Sequence, residues 1–238
     1  MSDLTDVFLG VALFSGFVVW DRRGRASQRE ALRDYAASHA LRFDPGELED
    51  VSRFSEFEAF ASLTLVDEEA LGTASAKFTL TGDRMIGGRR HDLQAGYHVG
   101  GPEDATSGRE PCPYALLRVS NRAMPRLVVR ERERHHAALR GVVFGGTPIA
   151  DAFEARFFVT CEDERFAREA LTPAAMSAML DRKRVDWLEL QGDSVCTYYE
   201  PRSLWQIHRN ETRIDALVEV IDLAEAIVGA LPEHLTKG

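Results

Sequence analysis

From Val7 to Trp20 the chain carries no charge, and Asp21, Arg22, Arg23, Gly24 and Arg25 follow at once. Such a segment has few places to go. As a helix its 14 residues cover about 21 Å at ~1.5 Å per residue, against a hydrocarbon core of about 30 Å. Leu4 and Thr5 extend the run past Asp6, and local thinning of the bilayer supplies the rest at modest cost. Trp20 stands where an interfacial aromatic belongs. Three readings compete. A cleaved leader wants a basic start and a small-residue cleavage site, whereas Met1 to Asp6 is acidic. A core or interfacial helix is the second reading, since short apolar runs are often buried in protein. The third is a single membrane span, and it is the expectation here. Arg22, Arg23, Arg25 and Arg29 all follow the run and nothing basic precedes it, which places the C-terminal part in the cytoplasm.

What remains, 26–238, is long enough for one sizeable domain. Hydrophobic residues make up 45% and charged residues 28% of the chain, a globular balance. The net charge of -9 argues against a nucleic-acid partner. Basic clusters at Arg22–Arg25, Arg89-Arg90 and Arg182–Arg184 have no interleaved aromatics on which bases would stack. The first suits anionic lipid beside a span. Cys112, Cys161 and Cys196 are odd in number and widely spaced, which disfavours a disulfide framework or a zinc ribbon.

Along the domain, Ser27 and Glu30 read as a capping box for a helix over 28–40. Asp44-Pro45-Gly46 reads as a turn. Phe54, Phe57, Phe60, Leu63 and Leu65 form an aromatic-rich stretch. Strands are expected over 77–81 and 92–99, separated by a glycine-rich loop, Gly82 to Gly88. A surface loop covers 100–113. Strands over 114–119 and 126–130 flank a turn at Asn121-Arg122, and 131–139 reads as a short charged helix. A strand is expected over 153–160. Asp163 and Thr172-Pro173 read as caps of two helices. A hairpin is expected between Trp187–Leu190 and Val195–Tyr199. The clearest helix runs over 211–230, with Ile214, Leu217, Val218, Ile221, Ala224 and Val228 on one face and Pro232 as its stop. Neighbouring strands without regularly interposed helices predict an α+β fold with mainly antiparallel pairing.

Five pieces in order complete the pattern: Leu80-Thr81-Gly82, Met124 to Val129, Phe153 to Val159, Ala170 to Pro173, and the last helix ending in Leu231-Pro232. In that order the chain resembles an uncharacterised bacterial family of membrane-anchored proteins known only as a domain of unknown function. The resemblance implies a short N-terminal membrane segment followed by a mixed sheet domain, and no activity. Phe78 departs from the polar residue that the family tends to carry there, and the loop from Gly100 to Cys112 is particular to this chain.

Chemistry is sparse. On a strand, His91 and His98 point to opposite faces, while Asp92 and His98 share one at about 20 Å, so a joint metal site is not expected. His135 and His136 diverge on a helix. Gly82 to Gly88 and Val143 to Pro148 are rich enough in glycine to cradle a phosphate, yet neither has P-loop or dinucleotide order, and tight turns explain them. Glu162, Asp163 and Glu164 read as a cap and solvated charge. Arg156 between Phe153 and Phe157 needs a carboxylate partner. No catalytic, cofactor-binding or metal-binding residue is assigned.

The expectation is therefore α+β: a single transmembrane helix within 1–25, then one domain, 26–238, with an antiparallel sheet and a long C-terminal helix. It lies at the cell membrane through 7–20 with the domain cytoplasmic, and acts by binding a ligand or protein partner. Two alternatives stand. One is an enzyme assembled from distant segments, with His91, Arg156 and Asp186 as candidates; the other is a soluble protein whose first run is a core helix.

Overall fold

The computed structural model describes residues 27–48, 57, 75–99, 112–119, 123–132, 141–183, 187–199 and 211–236. The expected span Val7–Trp20 and its arginines lie outside those residues, as do Phe54, Phe60, Asn121-Arg122 and His135-His136. Among the described residues no helix is long and apolar enough to cross a membrane.

Helix α1 covers 27–38. Strands β1 (Arg42–Leu48), β2 (Ser75–Ile86), β3 (Arg89–Val99), β4 (Cys112–Arg118) and β5 (Met124–Glu131) follow. Next come α2 (Pro148–Arg156), β6 (Phe157–Cys161), α3 (Glu164–Ala170) and α4 (Pro173–Leu180). Strands β7 (Trp187–Gly192) and β8 (Ser194–Tyr198), helix α5 (Glu211–Ala230) and the short α6 (Glu233–Thr236) complete the order. The strands form one sheet in the order β1-β2-β3-β4-β8-β7-β5-β6. Every pair in it is antiparallel. The chain is thus a mixed α+β fold with an antiparallel sheet and a long C-terminal helix.

Several local expectations are corrected. Ser27 is already helical, so it does not cap α1. Asp44-Pro45-Gly46 is no turn between elements. It is a bulge within the edge strand β1, where the register jumps between Asp44 and Glu47 and Asp44 Oδ1 accepts from Gly46 N–H at 2.9 Å. A bulge on an edge strand is where proline is tolerated in a sheet. The expected loop Gly82 to Gly88 is mostly strand. Gly82 lies under α1's end, where a Cβ would stand 2.8 Å from Leu41 Cδ2. Only Gly87 and Gly88 turn, with φ of +58° and +78°, the conformation that two-residue hairpins favour.

The largest correction is at 153–160. Thr147 caps and Pro148 opens a helix there, so Phe153 and Arg156 are helical and the strand starts only at Phe157. A short apolar run does not by itself distinguish helix from strand. Strands β4 and β5, neighbours in sequence, are not partners; the β7–β8 hairpin stands between them.

Helices α1, α4 and α5 cover one face of the sheet. Leu32, Met176, Met179 and the α5 residues Leu217, Val220, Ile221, Ala224, Ile227 and Val228 pack there on Leu80, Leu93, Leu117, Leu127, Leu188 and Leu190. Each fully buried side chain of that size contributes roughly 1.5–3 kcal/mol. The buried arc of α5 is wider than the sequence periodicity suggests, while Ile214 and Val218 are only half-buried.

Candidate functional site

The other face of the sheet is different in kind. Strand alternation sends Ala115 and Leu117 towards the helices and Tyr114, Leu116 and Arg118 away from them. Pairing then sets Tyr114 beside Tyr198 and Leu116 beside Cys196, and Glu189 beside both Cys196 and Val128. Phe57, Trp187 and Cys112 join them in a second, smaller cluster. Within this aromatic face Glu189 is fully buried and accepts from Arg126 Nε at 2.9 Å. The Arg130 guanidinium lies 4.2 Å from the Trp187 ring centroid. Burial lowers the pKa of Arg130, and Glu189 opposes that shift. Burial, and secondarily Glu189, pushes the Cys196 thiol well up, which keeps it from being a thiolate nucleophile. His98, on the same face, is held down to about 4 by burial.

At the Gly87-Gly88 end this face opens into a groove of about 290 Å³. Its polar lining comes from Thr81, Asp83, Asp92, Gln94, Arg118 and Ser194, with Leu116 among its apolar wall residues. Two of its charges are paired, Asp83 with Arg90 and Arg118 with Asp193, and Asp92 is exposed. The Ser194 hydroxyl donates to Asp193 Oδ1 at 2.6 Å. The hydrogen bond from Arg90 holds the Asp83 carboxyl below its usual range. A second hollow of about 340 Å³ lies between the start of β5, α3 and α6. There Glu169 is held low first by Arg165 and then by His234.

The residues singled out in the sequence do not meet. His91 Nδ1 donates to the carbonyl of Arg118 at 3.0 Å. Arg156 donates from Nε to Glu131 at 3.1 Å and from a terminal nitrogen to the carbonyl of Leu180, also at 3.1 Å; this is the carboxylate partner its position requires. Asp186 lies outside the described residues. Asp163 caps α3 through Arg165 and Phe166 N–H. The loop at 144–146 does form an anion cradle, but Glu154 fills it, accepting from Phe144 N–H at 2.5 Å and Gly145 N–H at 2.9 Å. Among the described residues, no group of His, Cys, Asp and Glu could hold a metal ion. Sequence reasoning missed the Arg126–Glu189 pair and the groove. A carboxylate between two leucines in Trp-Leu-Glu-Leu was the visible sign of the pair.

The chain matches no family model and no curated protein. Its structure is similar to the crystal structure of the mycobacterial trehalose monomycolate transport factor A, TtfA, with a TM-score of 0.51 and 14% identity over 88% of this chain and 97% of that one. At that identity the likeness concerns the fold alone.

Proposed function

We propose that the chain is a membrane-tethered α+β module that acts by binding. In this reading domain 26–238 is held on the inner side of the bilayer by Val7–Trp20, and it meets a ligand or protein partner through the groove at the Gly87-Gly88 end of the second sheet face. The observation that carries the reading is the groove itself, in which two of the three lining charges are held in ion pairs, Arg118 with Asp193 and Asp83 with Arg90, while Arg126 pairs with Glu189 deeper on the same face. A general acid or base needs a pKa near the working pH. Asp83 is held low by Arg90, and Cys196 is held protonated by burial. His91 on β3 and the Glu131 bound by Arg156 on β5 stand four strand positions apart, about 19 Å at ~4.8 Å each, too far to share a substrate.

The tether is supported by the uncharged run and by the arginines that follow it. The same features carry the resemblance to a membrane-anchored family forward as part of the proposal. The protein of similar structure is named a transport factor, and from that name we take a role in a membrane-associated process. The test is fractionation of the full-length chain and of a chain lacking Val7–Trp20. The full-length protein is expected to pellet with membranes and leave them only with detergent, while the shortened chain stays in the supernatant. Protease outside spheroplasts is expected to spare the domain. Full-length protein in the detergent-free supernatant, or a domain digested from outside, overturns the reading.

A further inference from the structure

The sheet has two dissimilar ends, and the length of the tether decides which of them meets lipid. We propose that the end where α1 begins faces the inner leaflet, and that the end with the Gly87-Gly88 hairpin and the groove points away from lipid, within reach of soluble partners. The proposal rests on the tether reading above.

Helix α1 is fixed along β2. Near its start the Arg29 guanidinium lies 5.4 Å from the Phe78 ring centroid; beyond its end Leu41 packs on Gly82. The start of α1 therefore lies towards Ser75, away from the hairpin. Seven residue steps separate Trp20 from Ser27, at most about 24 Å when fully extended. Nine separate Phe78 from Gly87, about 30 Å of strand. Setting the hairpin on the leaflet would lift the start of α1 further than the tether reaches. Arg22, Arg23 and Arg25 shorten the usable reach, because each basic residue is held near an anionic surface by about 1 kcal/mol.

Among the described residues electrostatics is nearly neutral in the choice, while the connections 49–74 and 100–111, which join strand ends at the near end, are net acidic by sequence and give that end no attraction to anionic lipid. Exposed Arg29, Arg132 and Lys183 at the near end are offset by exposed Glu30, Asp181 and Asp215. At the far end Asp83, Asp92 and Asp193 outnumber Arg90 and Arg118, which gives that end no attraction to anionic lipid. Chain length sets the orientation, so it holds on neutral and anionic bilayers alike.

The test uses full-length protein in vesicles of phosphatidylcholine, alone or mixed with phosphatidylglycerol. Spin labels are placed at Asp181→Cys near the α1 end or at Met85→Cys beside the hairpin, each in a Cys161→Ser background. A headgroup-attached nickel chelate is the relaxing agent. Relaxation is expected at 181 and not at 85, on both bilayers. A flexible insertion after Arg25 is expected to bring relaxation to 85. Equal relaxation at both sites without the insertion overturns the orientation while co-flotation keeps the tether. An orientation seen only on anionic vesicles overturns the role of chain length. Failure to float with either vesicle overturns the tether, and the orientation with it.

Discussion

Leu116 and Leu117 are neighbours on β4, 3% and 0% exposed, and they live in different surroundings. Leu117 points into a layer of leucines, valines and helix side chains. Leu116 points into tyrosines, a tryptophan and a cysteine, beside an open groove. The helix-covered face is mainly apolar, and its few buried polar groups are each bonded: Thr197 to the Val220 carbonyl, His91 to the Arg118 carbonyl and Glu131 to Arg156. The second face buries a carboxylate, a histidine and arginine stems among aromatic rings, groups that a folded protein tolerates only with compensation, and at one end it opens into a groove with a polar lining. The groove, more than the buried polar groups, sets this face apart, and the proposed binding is assigned to it.

The first way to test the contrast is to delete the same atoms on each face. Leu117→Ala is expected to cost about 3–4 kcal/mol, because helices and sheet cannot close a cavity at the centre of a packed layer. Leu116→Ala is expected to cost about half as much, since its cavity opens to the groove and takes water. Urea midpoints of the two variants measure this; equal losses would erase the distinction between the faces.

Next is pH. The folded-state value of His98 is about 4, below an unfolded value of about 6.5. Between those values the unfolded chain binds a proton that the folded chain refuses. The neutral, buried histidine therefore contributes its full stability above about pH 6.5, and loses it as pH falls towards 4, about 3 kcal/mol in all. His98→Gln is expected to flatten that part of the stability profile. An unchanged slope between pH 7 and pH 4.5 would remove His98 as its source.

A somewhat smaller effect is expected at Arg126. Arg126→Ala leaves Glu189 buried with one cation fewer, at a cost of about 2 kcal/mol; the loss of a partner from a fully enclosed pair costs more, but Arg126 is 40% exposed on its side chain and Arg130 stays beside the carboxylate. Adding Glu189→Gln to Arg126→Ala is expected to recover part of the loss. Thermal unfolding of the two single variants and the double variant reads the coupling, and strictly additive losses would show that the pair is not one unit.

These sites differ in how far the sequence reveals them. Helix α5 was legible because an apolar period sustained over 20 residues and a following Pro232 admit one reading. The caps at Asp163 and Thr172 were legible because a short polar side chain before helix-forming residues has a local job. Phe153 was not, since one turn of helix and a short strand bury an aromatic equally well. Strand order was not legible either: β5 pairs with β7 across a stretch of chain that includes α2, β6, α3 and α4, and that pairing alone brings Arg126 to Glu189. The groove is assembled from four strands in the same way. Local chemistry is written in neighbouring residues, whereas a site built across a sheet is written only in its topology.

The smallest effect serves as a control, because it ties α2 to the loop before it and lies on neither face. Glu154 fills the cradle formed by Phe144 and Gly145 N–H. Glu154→Ala removes two charge-assisted bonds, but the site is partly open and water replaces them, so the cost is about 1 kcal/mol, a fall in Tm of about 2–4 °C for a domain of this size. The emptied cradle keeps its two N–H donors and its left-handed glycines, so inorganic phosphate is expected to restore part of the lost Tm in the variant and to leave the native protein unmoved. A native protein that phosphate stabilises as much as the variant would mean that the carboxylate does not hold the cradle, and the phosphate reading of Val143 to Pro148 would return.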